Sequence, residues 1–499
     1  MKKKIFTVIS TVLITALLTQ VPAFAAIGDG GYEGGISTWD SDGKTAMNYK
    51  EVCFLTGEPI VFQGDLIVKT TARQNLVTTT YSYALKSTKN PTDTLKRALT
   101  ITIKKTTGDN NRTLEETTVT KPSEVIKIGS NTYTLKSYNL TKTGGSENKP
   151  AVNYYSGVIS SEKVYQIGTS TTDTINVKTD GDIYAYDQYW GSAEAQRLFQ
   201  TIEAVQVTNG TTVRSGGTAA INISSGMEKE IAYQENEPEV ISFEGGFVQS
   251  QKNISVLEYT AKLTDANAYV NEYSDTLRQD SHPIKKMYIA PSIYQLKGHW
   301  AEQYVRELYS LGIIEKASES FNPDEYITKG EFISSVVNAI NNASTQTTKT
   351  TTSATSKKTP VISPFTDLDV NSSYFNNINN ALKMGLINGK GDGTLGTNDY
   401  LIMADTLTIF INALGLESIA PGENPVTYFK DNDNIPQYAR RPAYIAQKIG
   451  LIKGDDKGYL NPNSYITRAQ AATLISRFLE YLRQDIRKDY RDRIVGYIG

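Results

Sequence analysis

The sequence predicts a multidomain chain, with an N-terminal mainly-β part, an antiparallel sandwich or roll of one or two domains, and a C-terminal all-α-like part. Two observations carry this reading. Between residues 52 and 263 short Thr-, Val-, Ile- and Tyr-rich runs alternate polar and apolar residues, the period of half-buried strands. After residue 296 the period becomes helical, and a degenerate unit recurs three times, from Lys297, Asn371 and Pro436.

Residues 1–25 open with Lys2, Lys3 and Lys4, run apolar from Ile5 to Leu18 and reach Ala23, Phe24 and Ala25, the form of a secretory signal peptide. Its removal leaves 48 of the 51 basic residues against 53 acidic ones, a balance that argues against nucleic acid as a partner. No other run approaches membrane-span length, so no span is expected in the mature chain. Cys53 is the only cysteine, which rules out an internal disulfide and leaves stability to core burial.

The β-rich region is expected over residues 26–265. Runs 98–105, 131–140, 173–179 and 218–224 read as strands, separated by turns such as KTDGD and SSGMEKE. A single helix is expected at 192–202, where Ala, Leu and Phe recur at helical spacing. Residues 266–295, polar and Tyr-rich, read as a connector.

The repeats are expected at 296–340, 361–420 and 425–482, with a Ser/Thr-rich insertion at 341–360 and a charged tail at 483–499. Each unit reads as a helix closed by glycine (Gly312, Gly385, Gly450), an extended stretch and a second helix. From that glycine to the start of the second helix is 17 residues in the first copy (Lys329) and 18 in the others (Met403, Arg468). Thr328 with Glu331, and Thr467 with Gln470, have the spacing of capping boxes. Lys329 and Arg468 follow at the first helical position, where the helix dipole disfavours a cation. Free N–H groups, dipole and cation together could hold an anion; the plainer reading is a solvated cation on a surface helix. In the second copy Ile402, Met403 and Asp405 replace cap, cation and acid.

His299, Trp300, Ala301, Gly312, Ile313, Phe321, Pro323 and ITKGEF in copy one, and Phe429, Asp431, Gly450, Gly454, Leu460, Pro462 and ITRAQ in copy three, resemble surface-layer homology (SLH) domains. Copy two keeps Phe365, Asp367, Gly385, Gly389 and Tyr400; copy one has Lys316 in place of the second glycine. The resemblance implies a pseudo-threefold bundle that binds secondary cell-wall polysaccharide, often through a pyruvylated sugar, and an address at the bacterial cell wall or S-layer. Carried over, Lys329 and Arg468 would hold the sugar carboxylate, with the groove near Arg468 favoured. Trp300 and Tyr438, each 12 residues before its glycine, could cover a sugar face or anchor the bundle. Gly389 and Gly454 could admit a ligand closely or serve only the backbone.

Only two histidines exist, His282 and His299, which leaves the β region without an imidazole for a triad or a zinc site. No metal or cofactor is expected; Asp40 with Asp42, or Asp180 with Asp182, completes no calcium loop. Residues 180–190, DGDIYAYDQYW, are the most suggestive acidic-aromatic cluster for a carbohydrate cleft, or simply a strand and turn. Three functions stay open: a structural or interaction protein of the envelope, with self-assembly or other envelope proteins as partners; a wall-anchored polysaccharide-active enzyme; and a carbohydrate-binding protein.

Overall fold

The computed structural model describes residues 34–38, 46–108, 112–208, 211–235, 245–264, 269–290, 293–314, 321–341 and 362–490. The signal peptide, Asp40, Asp42, Lys316, nearly all of the Ser/Thr-rich insertion and the tail after residue 490 lie outside them.

Alternating burial along each run gives 14 strands: β1 (Gly35–Thr38), β2 (Ala46–Cys53), β3 (Ile60–Arg73), β4 (Leu76–Ser87), β5 (Thr94–Thr107), β6 (Arg112–Ile128), β7 (Asn131–Asn148), β8 (Asn153–Ile167), β9 (Thr174–Gln188), β10 (Gly191–Thr208), β11 (Thr211–Gln234), β12 (Gly246–Thr264), β13 (Val270–Asp280) and β14 (Ile284–Ile289). Each strand pairs antiparallel with the next from β1 to β13, and β14 continues the edge by pairing with the first part of β12. The strands thus form one sheet rather than the two packed sheets of a sandwich. That sheet curls: Arg97 of β5 reaches Glu51 of β2, across the two intervening strands, at 2.7 Å, and the Ser255 hydroxyl of β12 donates to the Ser37 carbonyl of β1 at 3.0 Å. A strip of tight antiparallel hairpins with strong twist closes on itself in this way, nearly as a barrel.

The inside is apolar (Tyr49, Phe62, Leu66, Leu95, Leu257) but encloses charge: Lys142 is buried over the Tyr155 ring, and Arg97 centres a buried ionic knot. Arg97 donates to Glu51 and to Glu124 (Nε–Oε2 2.8 Å); Lys163 and Tyr165 also donate to Glu124, at 3.0 and 3.1 Å. Burial alone would raise the Glu124 pKa, but the charges of Arg97 and Lys163 prevail and hold it well below the usual carboxylate range.

Two segments differ from what their sequence predicts. Residues 192–202 are strand, not helix: Gln196, Leu198 and Ile202 face inward while Arg197 and Phe199 face out. Pairing on both sides with β9 and β11 overrides the helical propensity of Ala, Gln and Leu. Residues 266–295, read as a connector, carry β13 and β14; β13 is exposed along most of its length and belongs to the sheet through its ladder with β12.

Among the described residues each repeat carries two helices: α1 (Glu302–Ser310) and α2 (Lys329–Asn341), α3 (Phe375–Lys383) and α4 (Met403–Leu414), and α5 (Arg440–Lys448) and α6 (Arg468–Glu480). Gly312, Gly385 and Gly450, with φ near +70° to +80°, end the first helix of each pair. The second helices meet through Phe332, Phe410 and Phe478, with centroids 5.4 and 4.6 Å apart. Asp367 and Asp431 tie the loop between the paired helices: Asp367 accepts the N–H groups of Leu395, Gly396 and Thr397 at 2.7–2.9 Å, and Asp431 those of Leu460 and Asn461 at 2.8 Å. Burial opposes the Asp367 charge, and the three N–H donors outweigh it, so its pKa is lowered. A lowered folded pKa gives stability that is present above the unfolded value of about 3.9 and is lost as pH falls through the folded value. The melting temperature of the helical region is therefore expected to fall on acidification below about pH 4, and Asp367→Asn to flatten that fall in a pH series of thermal melts.

The sheet and the helices share one core. Trp190, at the β9–β10 turn, is fully buried and its indole N–H donates to the Ala339 carbonyl of α2 at 2.7 Å. The Tyr154 hydroxyl donates to Leu414 O at 3.1 Å, and Ala151 N–H to Ala413 O at 2.9 Å. The first part of the segment expected as a charged tail is helical too. Residues Tyr481–Asp485 form a π turn, and α7 (Ile486–Asp489) leads to Tyr490, whose hydroxyl bonds the backbone carbonyls of Ala185 and Tyr155. This places Tyr184, Tyr186, Tyr189 and Trp190 of the acidic-aromatic stretch at the junction, not along an open cleft.

Candidate functional site

The three extended segments preceding α2, α4 and α6 join head to tail. Single antiparallel bridges link Tyr326 to Thr467, Thr328 to Tyr400 and Ile402 to Tyr465. Ile327 N–H donates to Ile466 O, Ile466 N–H to Leu401 O and Leu401 N–H to Ile327 O, at 3.0–3.1 Å, closing a ring of three segments. Each second helix starts from this collar.

Thr328 N–H donates to Glu331 Oε2 at 2.9 Å and Glu331 N–H to Thr328 Oγ1 at 3.3 Å; Thr467 and Gln470 exchange the same pair at 2.9 and 3.2 Å. In α4 the cap position is Ile402, with no side-chain bond. The next two N–H groups of α2, α4 and α6 are also taken: Lys329 and Gly330 donate to Asp399 O and Thr397 O, Met403 and Ala404 to Ser464 O and Pro462 O, Arg468 and Ala469 to Glu325 O and Pro323 O. The free N–H groups expected at these termini are used by the neighbouring repeat, so an anion here would rely on side chains.

The side chains converge across repeats. Lys329 Nζ of repeat one lies 3.0 Å from Asp405 Oδ2 of repeat two, and Tyr438 of repeat three donates its hydroxyl to Asp405 Oδ1 at 2.6 Å. Burial and the Asp405 carboxylate raise the Tyr438 pKa. Arg468 of repeat three bonds Glu331 Oε1 of repeat one at 2.7 Å and also Glu325, while Tyr374 of repeat two lies beside this cluster. Although burial works against its charge, the two carboxylates raise the Arg468 pKa. By register the third set is Met403, Gln470 and Trp300, which carries no charge. Trp300 and Tyr438 are 59% and 53% exposed, so neither anchors the core. Trp300 and Lys329, in one repeat, do not meet by this register; Lys329 pairs instead with Asp405 of the second repeat, to which Tyr438 of the third also donates.

Asp405 was not singled out by sequence, because copy two had lost both cap and cation. Its signal was the offset alone: it stands at the position of Glu331 and Gln470. Gly389 and Gly454 sit against aromatic rings, where a Cβ would come within 2.8 Å of Phe365 and 2.9 Å of Phe429. They make room for a core phenylalanine. Gly454→Ala is expected to destabilise by about 1–3 kcal/mol, the usual cost of overpacking with strain, measurable as a lower denaturant midpoint.

The S-layer homology domain profile matches residues 296–333, 364–402 and 428–472. The C-terminal region carries three SLH repeats. The chain is similar to exoglucanase XynX of Acetivibrio thermocellus, 26% identical over 187 residues, covering 37% of this chain and 16% of that protein. It is also similar to the surface-layer 125 kDa protein of Lysinibacillus sphaericus, 26% over 185 residues (36% and 14%), and to S-layer protein EA1 of Bacillus anthracis, 32% over 111 residues (22% and 12%). The match spans less than a fifth of the length of each of these relatives. SLH repeats and such relatives mark a secreted, cell-wall-associated protein.

Proposed function

We propose that the three SLH repeats close a pseudo-threefold bundle that attaches the chain non-covalently to secondary cell-wall polysaccharide, while the β-rich part serves a structural or interaction role at the surface. The observation that carries this reading is the convergence of a cation, a carboxylate and a half-exposed tyrosine, one from each repeat, at Lys329, Asp405 and Tyr438. Carboxylate and phenol can take up sugar hydroxyls, and Lys329 can pass to an acidic group such as a pyruvyl carboxylate.

The Arg468 cluster is the weaker ligand site, in contrast to the preference drawn from sequence. Its guanidinium is shared by two carboxylates, which leaves the cluster net negative and clasps repeat three to repeat one. The aromatics of the stretch 180–190, which favoured an enzyme, are engaged at the junction through Tyr184, Tyr186, Tyr189 and Trp190.

Lys329→Ala is expected to weaken sedimentation of the full chain with purified wall sacculi by roughly ten- to hundredfold, the loss of one charge-assisted contact, with its melt little changed. Arg468→Ala is expected to lower the melting temperature. Unaltered sedimentation of the Lys329 variant would remove that residue from the site.

A further inference from the structure

We propose that the three tyrosines of the collar, Tyr326, Tyr400 and Tyr465, form a stacking platform for one pyranose ring of the wall glycan, separate from the Lys329 cluster. Each stands two residues ahead of the cap position of a second helix, and the ring centroids lie 5.5, 5.5 and 5.7 Å apart. The extended segments alternate, so Ile327, Leu401 and Ile466 point into the core and are buried, whereas the tyrosines remain 44%, 49% and 53% exposed. The aliphatic residues already seal the core beneath the collar. Among the described residues none of the three hydroxyls makes a hydrogen bond, so they are free to donate and accept.

Size decides between occupants. Three half-exposed tyrosines present roughly 200–400 Å², well below the ~800 Å² per partner of a stable protein interface. A single sugar ring, with an apolar C–H face and a hydroxyl rim, matches an aromatic patch of that extent with free hydroxyls. Lys329 and Arg468 follow Tyr326 and Tyr465 by three residues, so a ring seated on the collar leaves the next sugar within reach of a charged cluster.

This inference rests on the repeats binding wall glycan, and the test separates the two. In the full chain the triple variant Tyr326→Ser, Tyr400→Ser, Tyr465→Ser is expected to sediment with intact sacculi roughly tenfold more weakly, whereas the triple Tyr→Phe variant stays close to wild type. Wild-type affinity in the serine variant, with Lys329→Ala still impaired, overturns the platform and leaves the anchor standing. Sacculi stripped with hydrofluoric acid assign the source: the difference between serine and wild-type chains disappears if the ring belongs to the secondary polysaccharide and persists if it belongs to peptidoglycan, and either supports the platform. Should the serine variant fail to fold, nitration of the wild-type chain by tetranitromethane decides. Intact sacculi are expected to slow modification of these three tyrosines, and equal rates with and without sacculi overturn the proposal.

Discussion

Arg97→Ala is expected to destabilise the β sheet by about 3–5 kcal/mol, the range for breaking a buried ion pair from one side. The guanidinium is buried and bonds two carboxylates from different strands, Glu51 and Glu124. Without it Glu51 loses the guanidinium that donates to both of its oxygens, and Glu124 keeps only Lys163 and Tyr165. Both acids must then take up protons or water inside a closed sheet. Hydrogen exchange across β5, β6 and β8 is the direct measure: their amides should exchange markedly faster, while those of α2, α4 and α6 change less. Equal protection in variant and wild type would mean that the knot contributes nothing net. Exchanging the whole knot for apolar residues of similar volume is expected to cost far less, because no charge is then stranded.

Trp190→Ala is expected to cost about 3–5 kcal/mol as well, the range for truncating a fully buried tryptophan. The indole fills the junction between the β9–β10 turn and α2, and Ala339 O would lose its donor. Arg483 lies with its guanidinium 5.9 Å from the ring centroid and also bonds Glu307 of α1 at 3.0 Å, so the C-terminal turn should loosen too. Denaturant melts should show a lower midpoint for Trp190→Ala, with Trp190→Phe between it and wild type. A midpoint equal to wild type would mean that the two parts hold together without this contact.

The antiparallel β character and the paired helices of the repeats were legible because each rests on a local period, two in the sheet and about 3.6 in the helices. What was not legible follows from contacts distant in sequence. AEAQRLFQ is a good helical octapeptide, and only its two neighbouring strands make it β10. Polar β13 has no apolar stripe to read; its ladder with β12 alone makes it a strand. The single sheet rather than a sandwich depends on every consecutive pair meeting, which no local pattern encodes.

At the candidate site the sequence displayed the helix starts at Lys329 and Arg468 but not their surroundings. Asp405 belongs to the repeat that had lost its motif, and Glu331 looked complete as half of a capping box. In the fold, one oxygen of Glu331 serves the cap and the other binds Arg468 from the far end of the chain. A residue read within its own repeat could not reveal a function shared among three.

Whether the repeats hold the chain to a wall polysaccharide is decided by sedimenting the full chain with sacculi before and after that polysaccharide is removed by hydrofluoric acid. The chain is expected to pellet with intact sacculi and to remain in the supernatant with stripped ones. Equal pelleting with both would mean that the wall ligand is something other than the secondary polysaccharide.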